Sequence, residues 1–248
     1  SYFKAVERMV LGATSGSPPE DGVLTGAASD ESYVSINLLR TVARIKTVHG
    51  KAQEFYDFEE LPLASIVGKK SRRVLIVGEA GSGKSTGLLR IALEVVRKGF
   101  ELDQKYKIPI LLSAAEIKKL DFKDIASYCD ECTKELANSD KSCFTADDLE
   151  RGAVHLLIDA LDEVANDREK RAVIRLITDF SSKYPKCQVI VTSRPLRSLS
   201  EVPELKAFDE YRITPISWRQ AEKIVKRVNE NKRVPLQQSQ EFLDRKST

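Results

Sequence analysis

The sequence predicts an α/β fold in which a mainly parallel, five-stranded sheet carries helices on both faces. Three observations predict it. The apolar run "VLIV" at 74–77 leads directly into "GEAGSGKST" at 78–86 and then into the amphipathic stretch "GLLRIALEVV". "VHLLIDA" at 154–160 is nearly all apolar, as a strand buried on both faces has to be. Along the rest of the chain, strand-length apolar runs alternate with helix-length amphipathic ones, the pattern of a parallel sheet that binds ligands at the carboxyl ends of its strands.

Each element follows from local pattern. Residues 1–14 predict a helix with Phe3, Val6, Met9 and Val10 on one face. The Gly-, Ser-, Ala- and Pro-rich segment 12–32 predicts a mobile linker. "YVSINLL" at 33–39 fits a strand, whereas "FYDFEELPLASIVGKK" has no decisive period. "RRVLIVG" is the first clear strand, and a helix follows to about Lys98. "KIPILLSAAEI" supplies a second strand at 108–113. A helix is expected from Phe122 to Leu136, then a short one in "TADDLERG", with Thr145 and Asp148 as its capping pair. "VHLLIDA" is the third strand, "DREKRAVIRLITDFSSKY" a helix, "CQVIVTSR" the fourth strand and "YRITPI" the fifth. Ser217 then caps "WRQAEKIVKRVNE". There is no internal repeat. The expected division is a helix and linker over 1–32, a nucleotide-binding domain over 33–228, and the start of a further helical domain over 229–248. The first residue is Ser rather than Met, which predicts a piece excised from a longer protein.

Composition excludes several classes. A chain of 248 residues, 42% hydrophobic and 31% charged, can bury one sizeable core. It has no apolar run long enough for a membrane span, and "SYFKAVERMV" mixes charge into apolar positions, unlike a signal peptide. Forty Lys and Arg against 37 Asp and Glu leave a net charge of +3, which does not indicate nucleic acid. Lys69, Lys70, Arg72 and Arg73 form a basic run without an aromatic platform, as a solvated loop would. Four cysteines suit a reducing, cytoplasmic setting. Cys129 and Cys132 form one C-x-x-C, but no second pair completes a zinc site. Phe122, Ile125, Ala126, Cys129 and Leu136 recur at helical spacing, so Cys129 reads as core. Both histidines read as structural, His155 at the mouth of a strand and His49 in a polar stretch.

The chemistry starts at the glycines. Gly78, Gly83, Lys84 and Ser85 satisfy G-x-x-x-x-G-K-[ST], with a strand before and a helix after, the context that defines a P-loop. Backbone N–H groups of Gly78, Glu79, Ala80, Gly81, Ser82, Gly83, Lys84, Ser85 and Thr86 are the candidate phosphate cradle, helped by the positive end of the following helix. Lys84 would reach the β- and γ-phosphates, and the Ser85 hydroxyl would ligate Mg²⁺. The alternative is a glycine-rich turn with an accidental lysine.

"LLIDALDEV" places Asp159 at the end of a buried strand, with Asp162 and Glu163 just beyond. An acid at that strand end can hold Mg²⁺, and a later acid can orient the attacking water, because phosphoryl transfer needs positioning and charge more than covalent chemistry. Asp162 and Glu163 could equally be N-terminal acids of the next helix. In "VIVTSRP", Arg194 emerges at the carboxyl end of its strand, where its guanidinium could fork onto a γ-phosphate. It could also be a surface residue halted by Pro195.

In order and rough spacing, "VLIVGEAGSGKST", "IPILLSAAEI", "HLLIDALDEV", "CQVIVTSRP" and "YRITPISWRQAEKIV" resemble NACHT domains of the STAND branch of P-loop ATPases, the nucleotide switches of innate-immune and antiphage receptors. Ala160 directly after Asp159, with acids following, is similar to the NACHT Walker B pattern, and the likeness runs from about Arg72 to Val228. The resemblance implies ATP/ADP binding with Mg²⁺, slow hydrolysis, and self-association of a full-length protein into a wheel-like assembly in the ATP state. Effector and sensor domains would then lie outside this chain. It implies the strand order 5-1-4-3-2, with the Arg194 strand beside the P-loop strand. By position it marks Lys84, Ser85 and Asp159 for nucleotide and metal, and Asp162, Glu163 and Arg194 for catalysis. Family members continue into helical and winged-helix segments that close over the nucleotide with a proline and a histidine. Pro215 and Pro235 do not match those positions, so the contacts to adenine stay open, and an isolated chain ending at Thr248 is expected to release ADP readily.

The rivals differ in specific residues. A small GTPase would carry Gly at position 162 and an N-K-x-D, but position 162 is Asp and "NKRV" lacks the acid. An AAA+-like remodelling ATPase shares the two Walker motifs, although "TSRP" leans away from it. A nucleotide-binding interaction module with negligible turnover is the third reading.

Overall fold

The computed structural model describes residues 6, 35–48, 51–67, 71–101, 107–117, 124–195 and 203–222, with backbone alone for 43–48, 51–55 and 98–101. The helix expected over 1–14 (apart from the buried Val6), the linker to 32, His49, Lys69, Lys70, Phe122, Pro235 and the tail from 229 lie outside these residues.

The order of elements is β1 (Asn37–Val48), β2 (Lys51–Pro62), a 3₁₀ turn (Leu63–Ile66), β3 (Arg73–Val77), α1 (Lys84–Glu101), β4 (Ile108–Ser113) and α2 (Ala114–Ile117). There follow α3 (Ile125–Ala137), α4 (Ala146–Glu150), β5 (Val154–Asp159), a 3₁₀ turn (Leu161–Glu163), α5 (Asp167–Lys183), β6 (Gln188–Ser193), a second such turn (Pro203–Ala207) and β7 (Asp209–Ile213). A helical turn occupies 218–222.

These strands form one sheet in the order β2-β1-β7-β3-β6-β5-β4. From β7 to β4 every pairing is parallel. Counted from the P-loop strand, those five run 5-1-4-3-2, the expected order, with β6 beside β3. The sheet has seven strands rather than five, because an antiparallel hairpin, β1–β2, is added to β7. Its first strand starts at Asn37 and runs on to Val48, and the undecided "FYDFEELP" is the end of its second. The described part of β2 is exposed from Tyr56 to Glu60, so no buried face imposes the alternation by which a strand is recognised. Arg40 fastens the hairpin to the sheet, pairing with Asp209 while its guanidinium lies 5.4 Å from the centre of the buried Tyr211 ring.

The inner strands β3, β5 and β6 are covered on both faces, which is why they read as continuous apolar runs. Each fully buried Leu or Ile there contributes roughly 1.5–3 kcal/mol of burial free energy. On α5, Val173, Ile174, Ile177 and Phe180 form the buried stripe, and the Asn166 side chain caps the helix by accepting from the Glu169 N–H at 3.0 Å. Thr145 and Asp148 make the expected reciprocal capping box on α4. Ser217 Oγ accepts from the Gln220 N–H at 3.3 Å, as a cap for the helical turn should.

On α3, Ile125 and Cys129 face the core as expected, but Leu136 is exposed at the end of the helix, just before Asn138 breaks it in the left-handed region. All four cysteines are free, and burial pushes the Cys129 thiol well up, so it behaves as a small apolar residue. Among the described residues no cluster of three His, Cys, Asp or Glu is placed to hold a metal. His155 is the second residue of β5, at the amino end of the strand as expected, where it lies opposite Gln188 of β6 and is buried. No helix among the described residues is long and apolar enough to cross a membrane.

Candidate functional site

The site is built where β3, β5 and β6 end. The chain leaves β3 at Gly78, whose N–H donates to the Ser193 carbonyl of β6 at 3.1 Å, so the loop starts from a fixed rung of the sheet. Ser82 N–H closes a tight turn onto the Glu79 carbonyl at 3.1 Å, and the Gly87 N–H makes the first helical bond to the Gly83 carbonyl at 2.7 Å. Gly83 has φ +92°, and a Cβ there would stand 2.8 Å from the Ile36 side chain. Only glycine meets both demands. Ile36, just before β1, thus brings the hairpin against the P-loop.

One cleft of about 280 Å³ is lined by Ala80, Gly81, Gly83, Lys84, Ser85 and Thr86 from the loop, by Asp159, Ala160, Asp162 and Glu163 from the end of β5, and by Arg194. Of the residues expected in the cradle, Gly78, Glu79 and Ser82 do not line it. Gly78 lies beneath the loop, and Ser82 Oγ is buried against it without a partner among the described residues. The Lys84 ammonium donates to the carbonyls of Gly78 and Glu79 at 2.7 and 2.9 Å, which folds the side chain back over its own loop.

The acids are separated by a sharp turn. Ala160 lies in the left-handed region (φ 57°, ψ 51°), a conformation costing a non-glycine residue roughly 1–2 kcal/mol. Its N–H donates to Thr192 Oγ1 at 3.0 Å, and Thr192 Oγ1 in turn donates to Asp159 Oδ1. Past this turn, Asp162 and Glu163 lie in a 3₁₀ turn and not in the following helix, which starts at Asp167 behind its Asn166 cap. The helix therefore takes Asp167 and Glu169 as its N-terminal acids, and Asp162 and Glu163 face the cleft.

Arg194 is placed by Asp162. Its backbone N–H donates to Asp162 Oδ1 at 2.9 Å and its Nε to Oδ2 at 3.1 Å. The Asp162 side chain is 9% exposed and that of Arg194 53%, so the carboxylate is held in the wall while the guanidinium stands toward solvent. Both Asp162 oxygens are thus engaged, whereas Glu163 is exposed. Sequence reasoning missed Thr192, although it is the first polar residue after the apolar "VIV" of β6, and it missed Ile36, which carries no local signal at all.

The NACHT domain profile matches residues 72–232. The chain belongs to the NACHT family. It therefore contains a P-loop NTPase domain, and the cleft just described is the P-loop end of that domain. No curated protein matches this NACHT chain significantly. Among solved structures it is similar to a DNA replication initiation factor, at 16% identity over 73% of this chain and 51% of that one, with a TM-score of 0.47. A second likeness is to the replication initiator DnaA bound to AMPPCP and single-stranded DNA, at 14% identity over 73% and 54%, TM-score 0.45. A third is to domain III of DnaA from Thermotoga maritima, at 16% identity over 70% and 67%, TM-score 0.44. The chain spans about half the length of the first two. At such identity and overlap the likeness says nothing of ligand or activity.

The residues present suit a magnesium-bound nucleoside triphosphate. Three carboxylates (Asp159, Asp162 and Glu163) and two cations (Lys84 and Arg194) line the cleft. A bare polyphosphate would be repelled by those acids, and a divalent cation between them removes the conflict. A loop N–H cradle at a helix N-terminus and a strand-end acid are the donor set for that combination.

Proposed function

We propose that this NACHT domain binds Mg-ATP and ADP in the cleft and hydrolyses ATP slowly, as the nucleotide switch of a larger, cytoplasmic STAND-type defence receptor. Residues 33–228 would form the nucleotide-binding unit, 1–32 a helix and linker ahead of it, and 229–248 the start of a helical segment after it. The ATP state would favour self-association of the full-length protein. The observation that carries the reading is the Arg194–Asp162 pair at the edge of the P-loop cleft. An arginine already held on one carboxylate can exchange that partner for a γ-phosphate, and a switch requires two states of different nucleotide preference.

Lys84 would leave the Gly78 and Glu79 carbonyls and donate to β- and γ-phosphate oxygens. Ser85 and Asp159 are the residues that would hold Mg²⁺, which when bound neutralises phosphate charge and polarises the γ-phosphoryl group. Glu163, with its carboxylate not engaged in the wall, would accept the proton of a water whose oxygen attacks the γ-phosphorus as the bond to the β–γ bridging oxygen breaks. Arg194 would release Asp162 and fork onto the γ-phosphoryl oxygens, stabilising the charge of the transition state. Asp162 acts here as the rest position of Arg194 and not as a second base.

The test is titration of a fluorescent, non-hydrolysable ATP analogue against the protein and its Lys84→Ala variant. Contacts to a charged group of this kind are worth ~1.5–3 kcal/mol each, so loss of Lys84 should weaken binding by about tenfold or more with the melting temperature preserved. Equal affinities would remove the P-loop from the mechanism. Phosphate release no faster than ~1 s⁻¹ is the expected turnover, at the low end for enzymes.

A further inference from the structure

We propose that Thr192 is a positioning residue for Asp159 and for the turn that presents Glu163, an inference that rests on the nucleotide-site reading above. Thr192 is fully buried in β6, where its neighbours Val189, Ile190 and Val191 are apolar and also fully buried. A hydroxyl has one proton to give and two lone pairs to receive. Ala160 N–H occupies a lone pair, and Asp159 Oδ1 takes the proton. The direction of this chain is set by its ends, since a backbone N–H can only donate and a carboxylate can only accept.

Two consequences follow. Asp159 Oδ1 is committed to the wall, so Oδ2 is the oxygen available to the cleft and the carboxylate has one orientation. The same hydroxyl holds the N–H of the left-handed Ala160, the residue at which the chain turns from β5 toward Glu163. Arg194 grips Asp162 two residues further on. The turn 159–162 is thereby pinned at two points, by Thr192 buried in β6 and by Arg194 at the surface just beyond that strand. A valine would match the volume of Thr192 and its preference for a strand, but it would leave the Ala160 N–H and Asp159 Oδ1 without their shared partner.

Thr192→Val and Thr192→Ser separate the hydroxyl from the shape of the side chain. Amide hydrogen exchange of 159–163 is read on the nucleotide-free protein, and affinity for a non-hydrolysable ATP analogue is read both with Mg²⁺ and in EDTA. Thr192→Val should speed exchange over 159–163 by about tenfold and lose about tenfold in the Mg²⁺-dependent part of the affinity, the order expected for one hydrogen bond to a charged group. Its affinity in EDTA should be unchanged, and Thr192→Ser should match the wild type in all three measurements. If Thr192→Val does not fold, Thr192→Ala compared with Thr192→Ser carries the same contrast. Wild-type exchange and Mg²⁺ dependence in Thr192→Val, or equal losses in the valine and serine variants, would overturn the assignment. A wild-type protein that binds no nucleotide would overturn the site reading instead, and the exchange measurement would still decide whether the Thr192 hydroxyl holds the turn.

Discussion

β5 and β6 lie side by side, and their two ends put polar residues to opposite uses. At the carboxyl ends, Asp159, Asp162 and Arg194 meet at a cleft open to solvent. At the amino ends, His155, Gln188 and Cys187 are sealed inside. Gln188 Nε2 donates to the carbonyls of Ile66 and Ser71 at 3.1 and 3.0 Å, and Cys187 Sγ to the Leu149 carbonyl at 3.2 Å. Burial lowers His155 to about 4, helped by the Lys107 charge and opposed by Gln188 beside it. Burial also raises the Cys187 thiol to about 11. Lys107, which donates to the Gly152 carbonyl at 2.9 Å, is itself lowered, by burial first and then by Arg72. Desolvation thus favours the neutral forms of His155 and Cys187 at the closed pole, where the polar groups serve structure, while the open pole presents its polar groups to solvent and to a ligand.

The sharpest way to break this comparison is at the open pole. Glu163→Gln should slow phosphate release by ~10²–10⁴-fold, the usual contribution of a general base, with nucleotide affinity retained. Single-turnover rates beside binding isotherms check it, and an unchanged rate would take Glu163 out of the chemistry.

At the closed pole the largest effect is one of pH. His155 is held neutral in the folded state with a pKa of about 4, against 6.5 when unfolded. Between those values the unfolded chain binds the extra proton, so stability is complete above pH 6.5 and falls as the pH drops toward 4. The loss should be about 3 kcal/mol. Denaturant unfolding across that range should show the slope, and a variant with Gln at this position should flatten it.

The same pole is closed by backbone contact at Gly152, where φ is +75° and a Cβ would lie 2.4 Å from the Lys186 carbonyl oxygen. Gly152→Ala should cost about 2 kcal/mol or more, from left-handed strain and overlap together, with nucleotide affinity unchanged. A chemical-denaturation midpoint equal to wild type would mean that this contact does not seal the pole.

The smallest effect sharpens the contrast. Asp162→Asn breaks an ion pair whose arginine is half exposed, so stability should change by less than ~1 kcal/mol. ATP-analogue affinity should rise modestly, because Arg194 no longer has to leave a carboxylate. A fall in affinity would mean that Asp162 serves the nucleotide directly.

Much of the fold was legible because it depends on short-range signals. A strand buried on both faces has to be apolar, so β3, β5 and β6 were visible in "VLIV", "HLLI" and "QVIV". The hairpin was not, since the described part of β2 is solvent-exposed and aromatic residues stand among acids without a period. His155 was placed correctly at the start of its strand, but its burial was not legible, because a single polar residue in an apolar run does not say whether it meets solvent or is sealed in.

The sequence by itself determined the five-stranded parallel core and its P-loop, and it placed Asp159 and Arg194 at strand ends, where local backbone chemistry and burial leave little freedom. Tertiary structure decided which of those charges are bound to one another. Asp162 and Arg194 are 32 positions apart, as are Ala160 and Thr192, and neither pair has any local signal. They meet because parallel pairing brings the ends of β5 and β6 together, and that register belongs to the whole sheet and not to either segment.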